Sequence, residues 1–282
     1  VSLQNLAASI GGAEKRAANL TTFSLGQALA GLLGPVVIGI AIDHVGHRYS
    51  YLVLSGLTLL PLAALAMLRN RLPAGGGAKK RASGRNTTDL LRAPPLRRAL
   101  ITGAMVFVAA DLLNFYMPIY GHAIGLSASM IGIILGAHSA AAFVVRLVMP
   151  RLVKIASEDR LMTWCLVASG AIYVLFPLFE QAWILALVAF LLGLALGCGQ
   201  PLSMILIHER APDGRTGEAL GWRVSINKMV QIGVPLLFGY LGTALGLVSV
   251  FWTNAVLLLA AGHFGRGRPA PSARERPPTR VP

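Results

Sequence analysis

The sequence predicts an all-α, polytopic transmembrane bundle with about eight membrane-spanning helices. Three observations predict it. Hydrophobic residues make up 55% of the 282 positions and charged residues only 13%, which is too apolar for a soluble domain of this length. Apolar runs of about 20 residues, the length that crosses a bilayer core of about 30 Å as a helix, recur along the chain with short polar breaks between them. The Lys and Arg residues sort onto alternate connections, as they do in polytopic helical proteins.

The expected spans are 20–41, 50–68, 99–119, 127–149, 161–179, 183–207, 219–243 and 246–264. A strand barrel would alternate polar and apolar residues in segments of about ten. The stretch from Ile184 to Leu196 instead contains no polar side chain and is apolar on all sides. Val1–Ile10 lacks the basic start of a signal peptide and reads as the tail of a preceding helix. Cys165 and Cys198 lie inside apolar runs without C-x-x-C spacing or nearby His, so they read as buried free thiols, with no metal or disulfide signal. No cofactor is expected.

The net charge of +14 raises the question of nucleic-acid binding, which the placement of the basic residues answers. Lys15 and Arg16 precede the first span. Nine basic residues fill Arg69–Arg98, four lie around Arg146–Arg160, four around Arg210–Lys228, and five follow the last span. These 24 of the 25 fall on one side of the membrane, and Arg48 alone lies opposite. The positive-inside bias makes that side the cytoplasm, so the charge reports topology and no nucleic-acid partner is expected.

Residues 69–98, with Pro73, Gly75-Gly76-Gly77 and Pro94-Pro95 among many charges, have the composition of a linker. The expected organisation is therefore the end of a first bundle over 1–68, a cytoplasmic linker over 69–98, a six-helix bundle over 99–264 and a disordered cytoplasmic tail over 265–282. An internal repeat supports two halves: Pro35-Val-Val-Ile-Gly39, Gly46 and Tyr51 match Pro235-Leu-Leu-Phe-Gly239, Gly246 and Phe251 at an offset of 200. Spans one and two then correspond to spans seven and eight, and four spans of a first six-helix unit are expected upstream.

On these features the chain resembles the major facilitator superfamily of secondary transporters, in which two six-helix bundles are joined by a long basic cytoplasmic loop. The resemblance implies that the spans are helices 5 to 12 of twelve. Gly26-x4-Gly31-x2-Gly34-Pro35-x3-Gly39 is similar to the helix-5 Gly-Pro signature of proton-coupled antiporters, with Ile38 where that pattern has a second glycine. Gly39-x3-Asp43-x2-Gly46-x-Arg48 fits the family's G-x3-D-x2-G-x-R pattern, but charge parity places this copy on the opposite side, so it reads as an echo of the loop signature. Pro201-Leu-Ser, Glu209-Arg210-Ala-Pro212, Gly214-Arg215-x-Gly217-Glu218-Ala-Leu-Gly221, Asn227 and Pro235 look like the helix 10 to 11 region of bacterial efflux-type members. The resemblance implies a bacterial inner-membrane protein, monomeric when full-length, that moves a small organic solute, with protons as the coupling ion. The alternative is a non-transporting sensor, scaffold or inactive fragment on the same fold.

Asp111, near mid-span with Asn114 and Tyr116 close by, is the leading candidate for proton coupling or substrate contact. A carboxylate there costs about 2.5–3.5 kcal/mol on insertion scales and should face water or a cation; a hydrogen bond to a neighbouring helix is the structural alternative. Arg223, Asn227 and Gln231 recur every four residues and form one polar stripe. Arg223 could hold an anion, pair with a carboxylate or snorkel. Gln27 is the repeat equivalent of Asn227. His138 and Arg146 share a face of the fourth span, where His138 could titrate or bond between helices. Gly34, Pro35, Gly39, Pro235 and Gly239 are candidates for packing or gating. Enzymatic chemistry is not expected: there is no H-E-x-x-H, no G-x-S-x-G, no carboxylate pair within a span and no phosphate-binding G-x-x-x-x-G-K-[ST] loop.

Overall fold

The computed structural model describes residues 12–67, 87–212 and 215–265. Most of the expected linker and the tail beyond Gly265 lie outside the described residues, as does the side chain of Gln27. Among the described residues every regular element is helical: α1 (Gly12–Met67), α2 (Pro94–Ala123), α3 (Ala128–Ile155), α4 (Glu158–Leu175), α5 (Ala182–Leu196), α6 (Gly199–Arg210), α7 (Thr216–Leu245) and α8 (Leu247–Gly265). Among the described residues seven segments are long and apolar enough to cross a membrane, with α5 and α6 together forming one of them, and the expected span 50–68 is not among the seven.

Helix ends follow local chemistry. Pro94 and Pro95 open α2, where a missing N–H costs nothing. The Ser127 hydroxyl accepts the Met130 N–H at 3.3 Å before α3, and Glu158 and Asp159 occupy the first turn of α4, where the helix dipole favours anions. α1 covers the first expected span, 20–41, and residues 50–67 of the second. It is interrupted at Gly46, whose φ of 76° and ψ of 166° are not helical. Gly246, between α7 and α8, has φ 84° and ψ 160°. The two glycines paired by the 200-residue repeat thus share one backbone conformation, in a region that only glycine adopts without strain.

The chain divides into two compact units, residues 1–85 with 127–136, and 86–126 with 137–282. In the first, α1 approaches the start of α3 at glycines. A Cβ at Gly39 would collide with the Ala128 carbonyl oxygen, and one at Gly132 with the Pro35 carbonyl oxygen.

In the second unit α4 packs most extensively on α8, and α2 packs on α6, α7 and α8. Its core centres on Tyr173, Phe176 and Phe251, all fully buried, with the Phe176 and Phe251 rings stacked at 5.6 Å and Tyr120 edge-on to Phe251 at 5.3 Å. The Tyr173 hydroxyl donates to the Ala109 carbonyl, which satisfies its polar end within that core. Near the starts of α2 and α4, Arg210 pairs with Asp159 and donates to the Pro95 carbonyl at 3.4 Å, tying the end of α6 to both.

Replacing Gly246 with Ala forces an L-residue into the glycine-only region, at a cost of about 1–3 kcal/mol. Gly233 in α7 has open space at its Cβ position and no positive φ, so Gly233→Ala is the matched control. Thermal unfolding of the detergent-solubilised protein should show a lowered midpoint for G246A and none for G233A.

Candidate functional site

Asp111 lies seventeen residues beyond the start of the 30-residue helix α2, close to its middle, and is half-buried. The ion pairs among the described residues are Arg92–Asp89, Arg210–Asp159 and Arg215–Glu218, so Asp111 belongs to none. The cation whose field reaches it is Lys228 on α7. Charge counting along the sequence groups Lys228 with a cytoplasmic connection, but the structure places it twelve residues beyond Thr216 in another 30-residue helix, also near mid-span. Its Nζ donates to Gln231 Oε1 at 2.8 Å. Asp111, Lys228 and Gln231 therefore bring one negative, one positive and one amide group to facing helices. Asn114 stays outside this arrangement: its amide donates to the Ala110 carbonyl of its own helix at 2.9 Å.

Arg223 is the second charged centre. Its Nη2 donates to Gln200 Oε1 at 2.6 Å and its Nε to Ser203 Oγ at 3.3 Å, both on α6. On its other side α6 lies close to α2, where a Cβ at Gly103 would collide with Ser203 Oγ. Of the sequence alternatives, a carboxylate partner is not found among the described residues: two neutral oxygens orient the guanidinium and its net charge stays uncompensated. Asn227 is half-buried on the same stripe. Gln200, Ser203 and Lys228 were not singled out by sequence. Among the sequence motifs Ser203 appears only within the Pro201-Leu-Ser match.

His138 and Arg146 both meet the α5 region but do different things. His138 is 7% exposed, its ring faces the Ala189 backbone and its own carbonyl would be struck by a Cβ at Gly193. It sits in a helix seam. Arg146 reaches the end of α5, where its Nε donates to the Gly197 carbonyl at 3.1 Å. Tyr116 donates at 3.5 Å to the carbonyl of Pro235, the proline inside α7, and its hydroxyl lies 3.7 Å from a Cβ built at Gly239. Gly34 has open space at its Cβ position, whereas Gly39 and Pro35 lie at the α1–α3 contact.

The chain matches the family model of the Major Facilitator Superfamily over residues 1–156 and 99–281, which together span nearly all of it. The chain belongs to the Major Facilitator Superfamily. It is similar to the multidrug resistance protein MdtG of Enterobacter lignolyticus (strain SCF1), with 25% identity over 246 residues, 85% of this chain and 59% of that protein. MdtG of Salmonella schwarzengrund (strain CVM19633) is 24% identical over 247 residues, 85% of this chain and 61% of that protein. The chain thus spans about three fifths of the length of the curated relatives it matches.

Within this superfamily chain the G-x3-D-x2-G-x-R copy has a physical task that its sequence position did not disclose. The Asp43 carboxylate accepts the Ala128 N–H on Oδ1 at 3.0 Å and the Ser129 N–H on Oδ2 at 2.7 Å. Two otherwise unpaired donors at the start of α3 are satisfied by a side chain from another helix, and its negative charge meets the positive end of the α3 dipole. Gly39, one turn earlier, lets the backbones come close enough for the cap to form. Loss of such a cap costs about 0.5–2 kcal/mol. Asp43→Ala should therefore accelerate hydrogen exchange of the Ala128 and Ser129 amides by roughly tenfold, following that loss of capping energy. Unchanged exchange there would show that the cap does not hold α3.

Proposed function

We propose that the whole protein is a secondary active transporter of the bacterial inner membrane, which exports a small organic solute in exchange for protons by alternating access. The basic connections face the cytoplasm in this reading, and the full-length chain works as a monomer. Membership of the superfamily and the multidrug resistance names of its relatives support the transporter class. The observation that carries the coupling is Asp111, a carboxylate near the middle of a membrane helix with no ion pair and with Lys228 as the cation in range.

When Asp111 is ionised, its charge and that of Lys228 attract across α2 and α7, and in a low-dielectric surrounding that attraction is strong. Proton uptake by Asp111 removes it and leaves Lys228 to Gln231 and to the solute. The two helices are then free to change their separation. The same pair thus translates a proton into a change of helix contacts, as coupling requires. Arg223, whose charge meets only the neutral oxygens of Gln200 and Ser203, is placed to receive an acidic or strongly polarised group of the solute. No phosphate-binding loop is needed, because the proton gradient supplies the free energy.

The test is proton-driven flux in proteoliposomes containing the full-length protein. Asp111→Asn should lower flux at least tenfold while solute binding persists, and Asp111→Glu, which keeps a titratable carboxyl, should retain a measurable share. Flux that is unchanged in Asp111→Asn removes Asp111 from the coupling step.

A further inference from the structure

Cys165 and Cys198 are 33 positions apart and belong to different helices, yet their Sγ atoms lie 3.5 Å from each other. Both thiols are free and buried, with exposures of 6% and 5%. Cys165 is in the middle of α4. Cys198 lies in the two-residue break between α5 and α6, with φ −87° and ψ −11°, directly before the first turn of α6. Nothing in the coupling or binding arrangement uses either sulfur.

We propose that Cys165 and Cys198 form an oxidisable dithiol, a site at which a membrane-permeant two-electron oxidant closes a disulfide that staples α4 to the break between α5 and α6. The contact distance is that of two sulfur atoms touching. A disulfide needs them at about 2.05 Å, so one or both must advance by about 1.5 Å. The advance falls on the two-residue interval between α5 and α6, where Cys198 stands between Gly197 and Gly199. Thiol oxidation passes through a thiolate, and an anion formed on Cys198 would meet positive charge from two directions. One is the N-terminal end of α6. The other is Arg146, which donates to the adjacent Gly197 carbonyl at 3.1 Å and lies within electrostatic reach of Cys198.

With an azo oxidant of the diazenedicarboxamide class, the balance is closed. The Cys198 thiolate adds to one nitrogen of the N=N bond, the second nitrogen takes a proton, and an S–N bond forms. Cys165, after losing its proton, attacks the Cys198 sulfur; the S–S bond forms, the S–N bond breaks, and the leaving nitrogen takes that proton. Two thiols are oxidised to one disulfide and the azo group is reduced to a hydrazine. The product ties α4 to the one interruption in the α5–α6 span, so that point is held against α4.

The experiment treats membranes containing the full-length protein with diamide, then denatures, alkylates free thiols with a maleimide and digests for mass spectrometry. The expected result is that the peptides bearing Cys165 and Cys198 lose alkylation together. They should appear as one cross-linked species within a single chain, two hydrogens lighter than the sum, and separate again on reduction. Hydrogen exchange of the amides at 197–200 should slow in the oxidised protein. Cys165→Ser should leave Cys198 unable to form the intrachain species. Full alkylation of both cysteines after diamide, or a cross-link found only between two chains, would overturn the proposal. Neither readout depends on transport, so failure here and failure of the transporter reading are distinguishable.

Discussion

Helix backbones brought into contact at glycines are the constraint on which the rest of this structure depends. In lipid the tails around a helix are as apolar as its own side chains, so burial alone does not drive helices together. Close van der Waals packing must do so, and it requires positions without a side chain. Gly193 and Gly197 seat α5 and its end against His138, Ala141 and Ala142 of α3. Gly103 and Gly199 bring α2 and α6 together at Ser203 and Val106, and Gly170 and Gly262 do the same for α4 and α8. In the other unit Gly39, Gly132 and Gly136 serve α1 and α3. Each of these contacts also decides which polar groups meet. Ser203, pressed against Gly103 of α2, also accepts from Arg223 of α7, and Asp43 caps α3 because Gly39 admits the α3 backbone.

Charges within the spans show a division of labour. Near helix ends two pairs are neutralised: Arg210 with Asp159 and Arg215 with Glu218. Those further in are not. Arg146 and Arg223 are held by carbonyl, amide and hydroxyl oxygens, which orient a guanidinium without cancelling its charge, and Asp111 has Lys228 in range without a direct pair. Unpaired charge at such depth is costly and is kept where it meets water, ions or a solute. The Arg210–Asp159 pair ties helices together, whereas Asp111, Arg146 and Arg223 are the charges available for chemistry.

The repeat links sequence and backbone in a similar way. Gly46 and Gly246 are 200 positions apart and both adopt a positive φ with an extended ψ at a point where one helix gives way to the next. The steric demand is the same in both halves, and it is met by the same residue. The residues around them have diverged. Asp43, three positions before Gly46, corresponds to Thr243, whose hydroxyl bonds back to the Gly239 and Tyr240 carbonyls of its own helix rather than to a neighbour.

Much of this was legible in the chain itself. Span length and the alternation of basic connections follow from the thickness and low dielectric of a bilayer, which act on each segment separately, so composition and periodicity suffice to read seven of the eight expected spans. The depth of Asp111 and the polar stripe of Arg223, Asn227 and Gln231 follow from helical geometry alone. The role of Lys228 did not: the expected span 219–243 already contained it, but its relation to Asp111 depends on α7 packing against α2. Partners across helices were equally hidden: Arg223 with Gln200 and Ser203, Asp43 with Ala128 and Ser129, and Cys165 with Cys198. Those pairings are set by which helices touch and at what depth, and that is decided by side-chain volume at a few glycines acting over long separations in sequence. The sequence by itself determined the helices, their lengths and their polar faces. Only the tertiary structure decided which faces meet, because contact between helices is a property of pairs of surfaces and no single stretch of chain contains it.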